Sequence, residues 1–146
     1  MRPLVILVIV ILAGCSSAPE VPLDATKEAG YRDAVEQLAP LVREADAAFA
    51  NHKPDEAAAL IKKAEPLAKR VISVPHPTVE AAHAASDLDD LYGRMLLSNR
   101  HYGYARLLFQ KNLARWKYWQ PPTPESARRL QQARGAIAEC DRHIAE

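Results

Sequence analysis

LSNRHYGYARLLFQKNLARWK (residues 97–117) decides the fold once it is laid over FANHKPDEAAALIKKAEPLAK (residues 49–69). At this offset of 48 residues Asn51 falls on Asn99, Ala57 on Ala105, Leu60 on Leu108, Lys63 on Lys111 and Lys69 on Lys117. Both stretches carry the end of one helix, a short polar turn and then a second helix that runs to a proline break. A period of this size is the mark of stacked helical hairpins, in which each unit buries its apolar face against the next.

Working outward, apolar residues at helical spacing predict five helices. The first covers Glu28 to Ala50, with Leu38, Leu41, Val42, Ala45 and Phe49 on one face and Pro40 expected to kink or shorten it. Asn51-His52-Lys53-Pro54 separates it from a second helix, about Asp55 to Val71, which Pro66 should bend. Thr78, after His76-Pro77, is placed to cap a third helix ending near Ser98. A fourth runs from about Tyr102 to Trp119. Gln120-Pro121-Pro122-Thr123-Pro124 stops it, and a last helix covers about Glu125 to Ile144. No stretch alternates with a period of two between turns, so no strand is expected and the fold class is all-α.

Gly93, Tyr102, Ala105 and Phe109 resemble the small-residue and aromatic frame of tetratricopeptide repeats; Asn112 departs from that frame. The upstream copy is Ala45, Ala57, Ile61 and Ala64, with Pro54 in place of the first aromatic. His76-Pro77 is similar to the loop of the longer kinesin-light-chain repeats, whose period is somewhat shorter. The resemblance implies two stacked hairpins plus a C-terminal closing helix over residues 28–145. It also implies that Ala105 is buried between the third and fourth helices, beside Gly93. In such hairpins the first helix of each pair lines a concave face. That face would hold Val42, Asp46 and Phe49, then Asp87, Asp90, Arg94 and Leu97, with Arg128 or Arg129 of the closing helix at its edge. The alternative is an unrelated antiparallel bundle.

The N-terminus speaks to location. Met1-Arg2-Pro3 carries one positive charge, and Leu4 to Ala13 (LVILVIVILA) is an unbroken apolar run. Crossing a bilayer takes about 20 apolar residues, so the run is too short to span and reads as a signal peptide. Leu12-Ala13-Gly14-Cys15 resembles the lipobox of bacterial lipoproteins. That resemblance implies cleavage before Cys15 and several acyl chains, palmitate among them, on the new N-terminus. Multiple chains anchor firmly where one does not. Ser16, rather than Asp, follows the cysteine, a pattern similar to outer-membrane sorting. The organisation is then residues 1–14 as signal peptide, residues 15–27 as a lipidated flexible tether and residues 28–146 as the helical domain. The alternative is an ordinary secretory signal.

Composition adds bounds. Residues 15–91 hold 8 basic and 14 acidic side chains, and residues 92–146 hold 10 basic and 4 acidic. Such a split suggests opposite electrostatic faces or ends. Once Cys15 is acylated, Cys140 is the only thiol; no internal disulfide can form, and a buried core position suits it. No glycine-rich phosphate loop is present, and His52, His76, His83, His101 and His143 form no metal-ligand spacing. No catalytic, metal or cofactor residue is assigned, and the chain is not expected to be an enzyme. Asp90 and Arg94, four apart on one helix, suit a surface ion pair.

Two features stand out. Tyr102 to Trp119 concentrates six of the nine aromatics; Trp116, Tyr118 and Trp119 either cover the closing helix or form an exposed anchor for a partner or membrane interface. Arg94, Arg100, Arg106, Arg115, Lys117, Arg128, Arg129 and Arg134 form a basic set, read as a solvated face or a site for an acidic partner or lipid headgroup. An envelope location excludes nucleic acid. The expected function is a lipid-anchored interaction module that assists an envelope protein complex. The rivals are a small-ligand or enzymatic domain with a site between helices, and a structural spacer.

Overall fold

The computed structural model describes residues 24–146. Cys15, the rest of the lipobox and most of the tether lie outside them. Five helices follow a 3-10 turn at Ala25–Lys27 (η1): α1 Ala29–Ala50, α2 Pro54–Ile72, α3 Val79–Ser98, α4 Tyr102–Lys117 and α5 Pro124–Ala145. The described residues contain no strand, and the domain is all-α.

Local chemistry sets the helix ends. Pro54 and Pro124 open α2 and α5, where the missing N–H costs nothing. The Thr78 hydroxyl accepts from Ala81 N at 3.3 Å. Thr123 and Ser126 form a reciprocal capping box at α5, so the proline stop is also a helix start. Pro40 does not end α1, which continues through it, and α2 continues through Pro66. Both prolines sit on exposed faces. The carbonyls they leave without an N–H, at Glu36 and Lys62, therefore face water rather than the core.

The repeat extends to backbone geometry. His52 (φ 58°) and Arg100 (φ 62°), 48 residues apart, are both left-handed. Lys53 N donates to Ala48 O at 3.0 Å and His101 N to Leu96 O at 2.8 Å; His52 N and Arg100 N donate to Phe49 O and Leu97 O, each at 3.0 Å. This bond pair is the Schellman termination, built twice without glycine.

Packing follows chain order. α1 packs on α2, both pack on α3, α3 packs on α4 and α4 on α5. α1 and α3 lie side by side as first helices of their hairpins, while α2 and α4 barely touch. Two stacked hairpins and a closing helix result. Ala45, Ala57, Ile61, Ala64, Gly93, Ala105 and Phe109 are all buried, with Ala105 at 0% exposure. A methyl on Gly93 would lie 2.6 Å from Phe109 Cε1 and 2.7 Å from its Cζ. The α3–α4 crossing is therefore close enough only for hydrogen at position 93. The main core joins α1, α2 and α3 through Leu38, Ile61, Val71, Leu88 and Leu91. A second cluster of Ala105, Phe109 and Cys140, with Leu96 and Ile137 against it, holds α5.

Candidate functional site

α1, α3 and α5 enclose an open groove of about 360 Å³ lined by Ala39, Val42, Arg43, Asp46, Ala84, Asp87, Asp90, Arg94, Arg128 and Gln132. Six of the residues singled out from sequence, Val42, Asp46, Asp87, Asp90, Arg94 and Arg128, meet here. They come together because the first helix of each hairpin turns the same face inward. Asp46 and Arg94 are again 48 residues apart, and Arg94 Nη2 donates to Asp46 Oδ1 at 2.7 Å while its Nε donates to Asp90 Oδ2 at 3.0 Å. Desolvation is the largest single influence on Arg94 and lowers its pKa, but the hydrogen bonds and charges of Asp46 and Asp90 together outweigh it and raise the pKa. Gln132 Nε2 reaches Asp90 Oδ1 at 3.1 Å, which ties α5 into the same row.

Arg129, not Arg128, makes the cross-helix contact at the groove's edge. Its Nη1 donates to Asp87 Oδ1 at 2.5 Å, its Nε donates to Glu125 Oε1 at 2.6 Å, and its guanidinium lies 5.5 Å over the Trp116 ring. Arg128 takes both oxygens of Glu125 at 2.7 and 2.8 Å and remains exposed on the lining. The Arg128 guanidinium, and then Arg129, hold the Glu125 carboxyl down at about 2.

Leu97 does not line the groove. It packs, half-buried, on the Ala105–Phe109–Cys140 cluster, because it lies four residues after Gly93, on the face of α3 that meets α4. Phe49, its counterpart in the first hairpin, packs against the main core. Trp116 is no free anchor either. It is 4% exposed, and its Nε1 donates to Ser86 Oγ at 2.8 Å. Trp119 lies tilted against it at 5.5 Å between ring centres and is half-buried. Only Tyr118 of that trio stands out, 71% exposed.

A polar network beside Trp116 joins α3 to α4. Asp89, buried, accepts from Lys111 Nζ at 2.6 Å and Arg115 Nη2 at 3.0 Å. Asn112 donates to Ser86 O at 2.9 Å and accepts from Arg115. That explains why an amide occupies a position the repeat frame gives to a small apolar residue: buried between charged neighbours, it is fully satisfied. Among the described residues no buried side-chain polar atom lacks a partner. The charge split along the chain thus resolves into internal pairing rather than two charged ends. Acidic α3 is matched by Lys111, Arg115 and Arg129 from α4 and α5. Arg106 of the basic set is likewise held, by Asp141 at 2.6 Å.

Cys140 is fully buried, and desolvation pushes its thiol upward. Tyr104 (69% exposed) and Leu107 (56%) stand on the outer face of α4, beside Tyr92, Leu96, His101 and Leu108. Sequence periodicity did not separate them from their core neighbours, because apolar and polar side chains are mixed around α4 and leave no single clear apolar face. Among the described residues no His, Cys, Asp and Glu side chains group as metal ligands, and no helix is long and apolar enough to cross a membrane. Comparison with protein families, with curated proteins and with solved structures finds no match.

Proposed function

We propose that the protein is a lipid-anchored interaction module of the bacterial envelope, on the outer membrane, that assists a protein complex by holding a peptide segment of a partner. The groove between α1, α3 and α5 is the observation that carries the reading. It converges Asp46, Asp87, Asp90, Arg94, Arg128 and Gln132 on one open surface. An open, charge-lined cleft suits an extended chain with both polar and charged groups. A small-molecule site would be more enclosed and more apolar. The lipobox resemblance supplies the anchor, and the repeat-like stacking supplies the concave face.

Arg94→Ala tests the groove. Its pair with Asp46 is half-exposed and its pair with Asp90 less so; together they contribute about 1 kcal/mol, so the melting temperature should fall by only a few degrees. Binding of the protein that co-purifies from detergent-solubilised membranes should weaken by about 2–5 kcal/mol, because the partner would bury the charge that is lost. Unchanged co-purification of that partner rejects the groove as the binding site.

A further inference from the structure

We propose that the end of the domain bearing Tyr118 and Trp119 rests on the bilayer surface, with those rings and Lys117 at headgroup level. The proposal rests on the lipid-anchor reading and adds an orientation to it.

The topology brings the chain entry and the aromatic end together. Asp24 caps η1, which leads directly into α1. In the first turn of α1 the Tyr31 hydroxyl accepts from Thr78 N at 2.9 Å, which fixes the start of α1 to the start of α3. One and two turns further along α3, His83 and Ser86 contact Trp116, in the last turn of α4. The start of α1, the start of α3 and the end of α4 therefore form one end of the molecule. Asp24 lies nine residues after Cys15, a stretch that can span at most about 30 Å. α3 alone, at 20 residues, is about 30 Å long. The shortest route from an acylated Cys15 thus reaches this end first. Tyr104 and Leu107, toward the start of α4, stand about 20 and 15 Å from Lys117 along that helix.

Aromatic and basic side chains at the near end suit a lipid interface, although Asp24, Glu80 and Glu125 at the starts of η1, α3 and α5 stand at the same end. Tyr118 is exposed, Lys117 Nζ lies 5.1 Å over its ring, and Trp119 shows one side to solvent. Tyrosine and tryptophan, apolar in body and polar at the tip, concentrate at the headgroup level of membranes. Ile72 and Val79 are exposed at the same end. Lys69, Arg70 and Lys117 stand in the last turns of α2 and α4 there, and basic side chains are drawn to anionic leaflets. The aqueous far end and the groove would both stay open to a partner.

Tryptophan quenching tests this in the full, natively processed protein. It is reconstituted into phosphatidylethanolamine–phosphatidylglycerol vesicles doped with a lipid brominated near the top of its acyl chain. Intact mass first reports whether acyl chains are present. Bromolipid should quench emission from Trp119, whereas Trp119→Phe, checked for native helicity, should lose that quenching because buried Trp116 is shielded. A second probe, Leu107→Trp in the Trp119→Phe background, should remain unquenched. Acylated protein with no quenching of Trp119, or with quenching at Leu107→Trp, overturns the orientation and leaves the lipid anchor standing. Protein without acyl chains removes both.

Discussion

Phe109→Ala is expected to destabilise the domain by about 3–5 kcal/mol, a large share of the roughly 5–15 kcal/mol that small domains possess. The ring is 1% exposed and is the largest side chain among the fully buried ones. It fills the space above Gly93 and packs with Ala105 and Cys140, so it joins α3, α4 and α5. Removing it leaves a cavity where three helices meet. The reciprocal change is informative. Gly93→Ala places a methyl 2.6 Å from Phe109 Cε1, inside any real contact, so the ring, 1% exposed, must shift within a packed core. Overpacking of this kind costs about 1–3 kcal/mol. Combining Gly93→Ala with Phe109→Leu should cost less than the sum of the two single changes, because the smaller side chain removes the clash. Urea denaturation followed by far-UV circular dichroism gives all four values, Phe109→Leu alone included. If Gly93→Ala melts like the wild type, the close α3–α4 crossing is wrong.

Asp89→Ala should be the most damaging polar substitution, at about 3 kcal/mol, because it strands the charge of Arg115 inside the α3–α4 interface. Asp89 is buried, and Arg115, with its side chain 12% exposed, can recover little hydration. Lys111, half-exposed, can swing into water and softens the effect. Asp46→Ala is the control. It also removes a cross-helix ion pair, but an exposed one, and should cost at most about 1 kcal/mol. Equal losses at the two positions in thermal melts would mean that Asp89 is solvated and the network is decorative.

Most of the fold was legible because the signals were local or periodic. The 48-residue offset anticipated the paired turns at Asn51–Lys53 and Asn99–His101; that each closes through a left-handed residue, His52 and Arg100, is visible only in the backbone. Helix ends fell within about two residues of their expected places wherever proline or threonine marked them. Pro40 was misleading because a proline tells nothing of which face it occupies; on the solvent side the helix survives it. The groove was partly legible. Helical phase put Asp87, Asp90 and Arg94 on one face of α3, and the repeat put Asp46 opposite. Phase alone could not tell that Leu97 turns into the second core cluster, nor choose Arg129 over its neighbour Arg128 for the contact with Asp87. Those outcomes depend on the azimuth at which α5 docks. Trp116 was ambiguous for the same reason: Ser86, 30 residues earlier, supplies the partner that lets its indole N–H be buried.

The proposed function depends on the lipid anchor, and the intact mass of the protein purified from bacterial membranes tests that anchor most directly. The prediction is a chain that begins at Cys15, heavier than residues 15–146 by a diacylglyceryl group and an amide-linked acyl chain. Cys15→Ala should abolish that added mass and release the protein from the membrane fraction. A membrane-bound chain that carries an unmodified Cys15, or normal membrane fractionation of Cys15→Ala, would contradict the account.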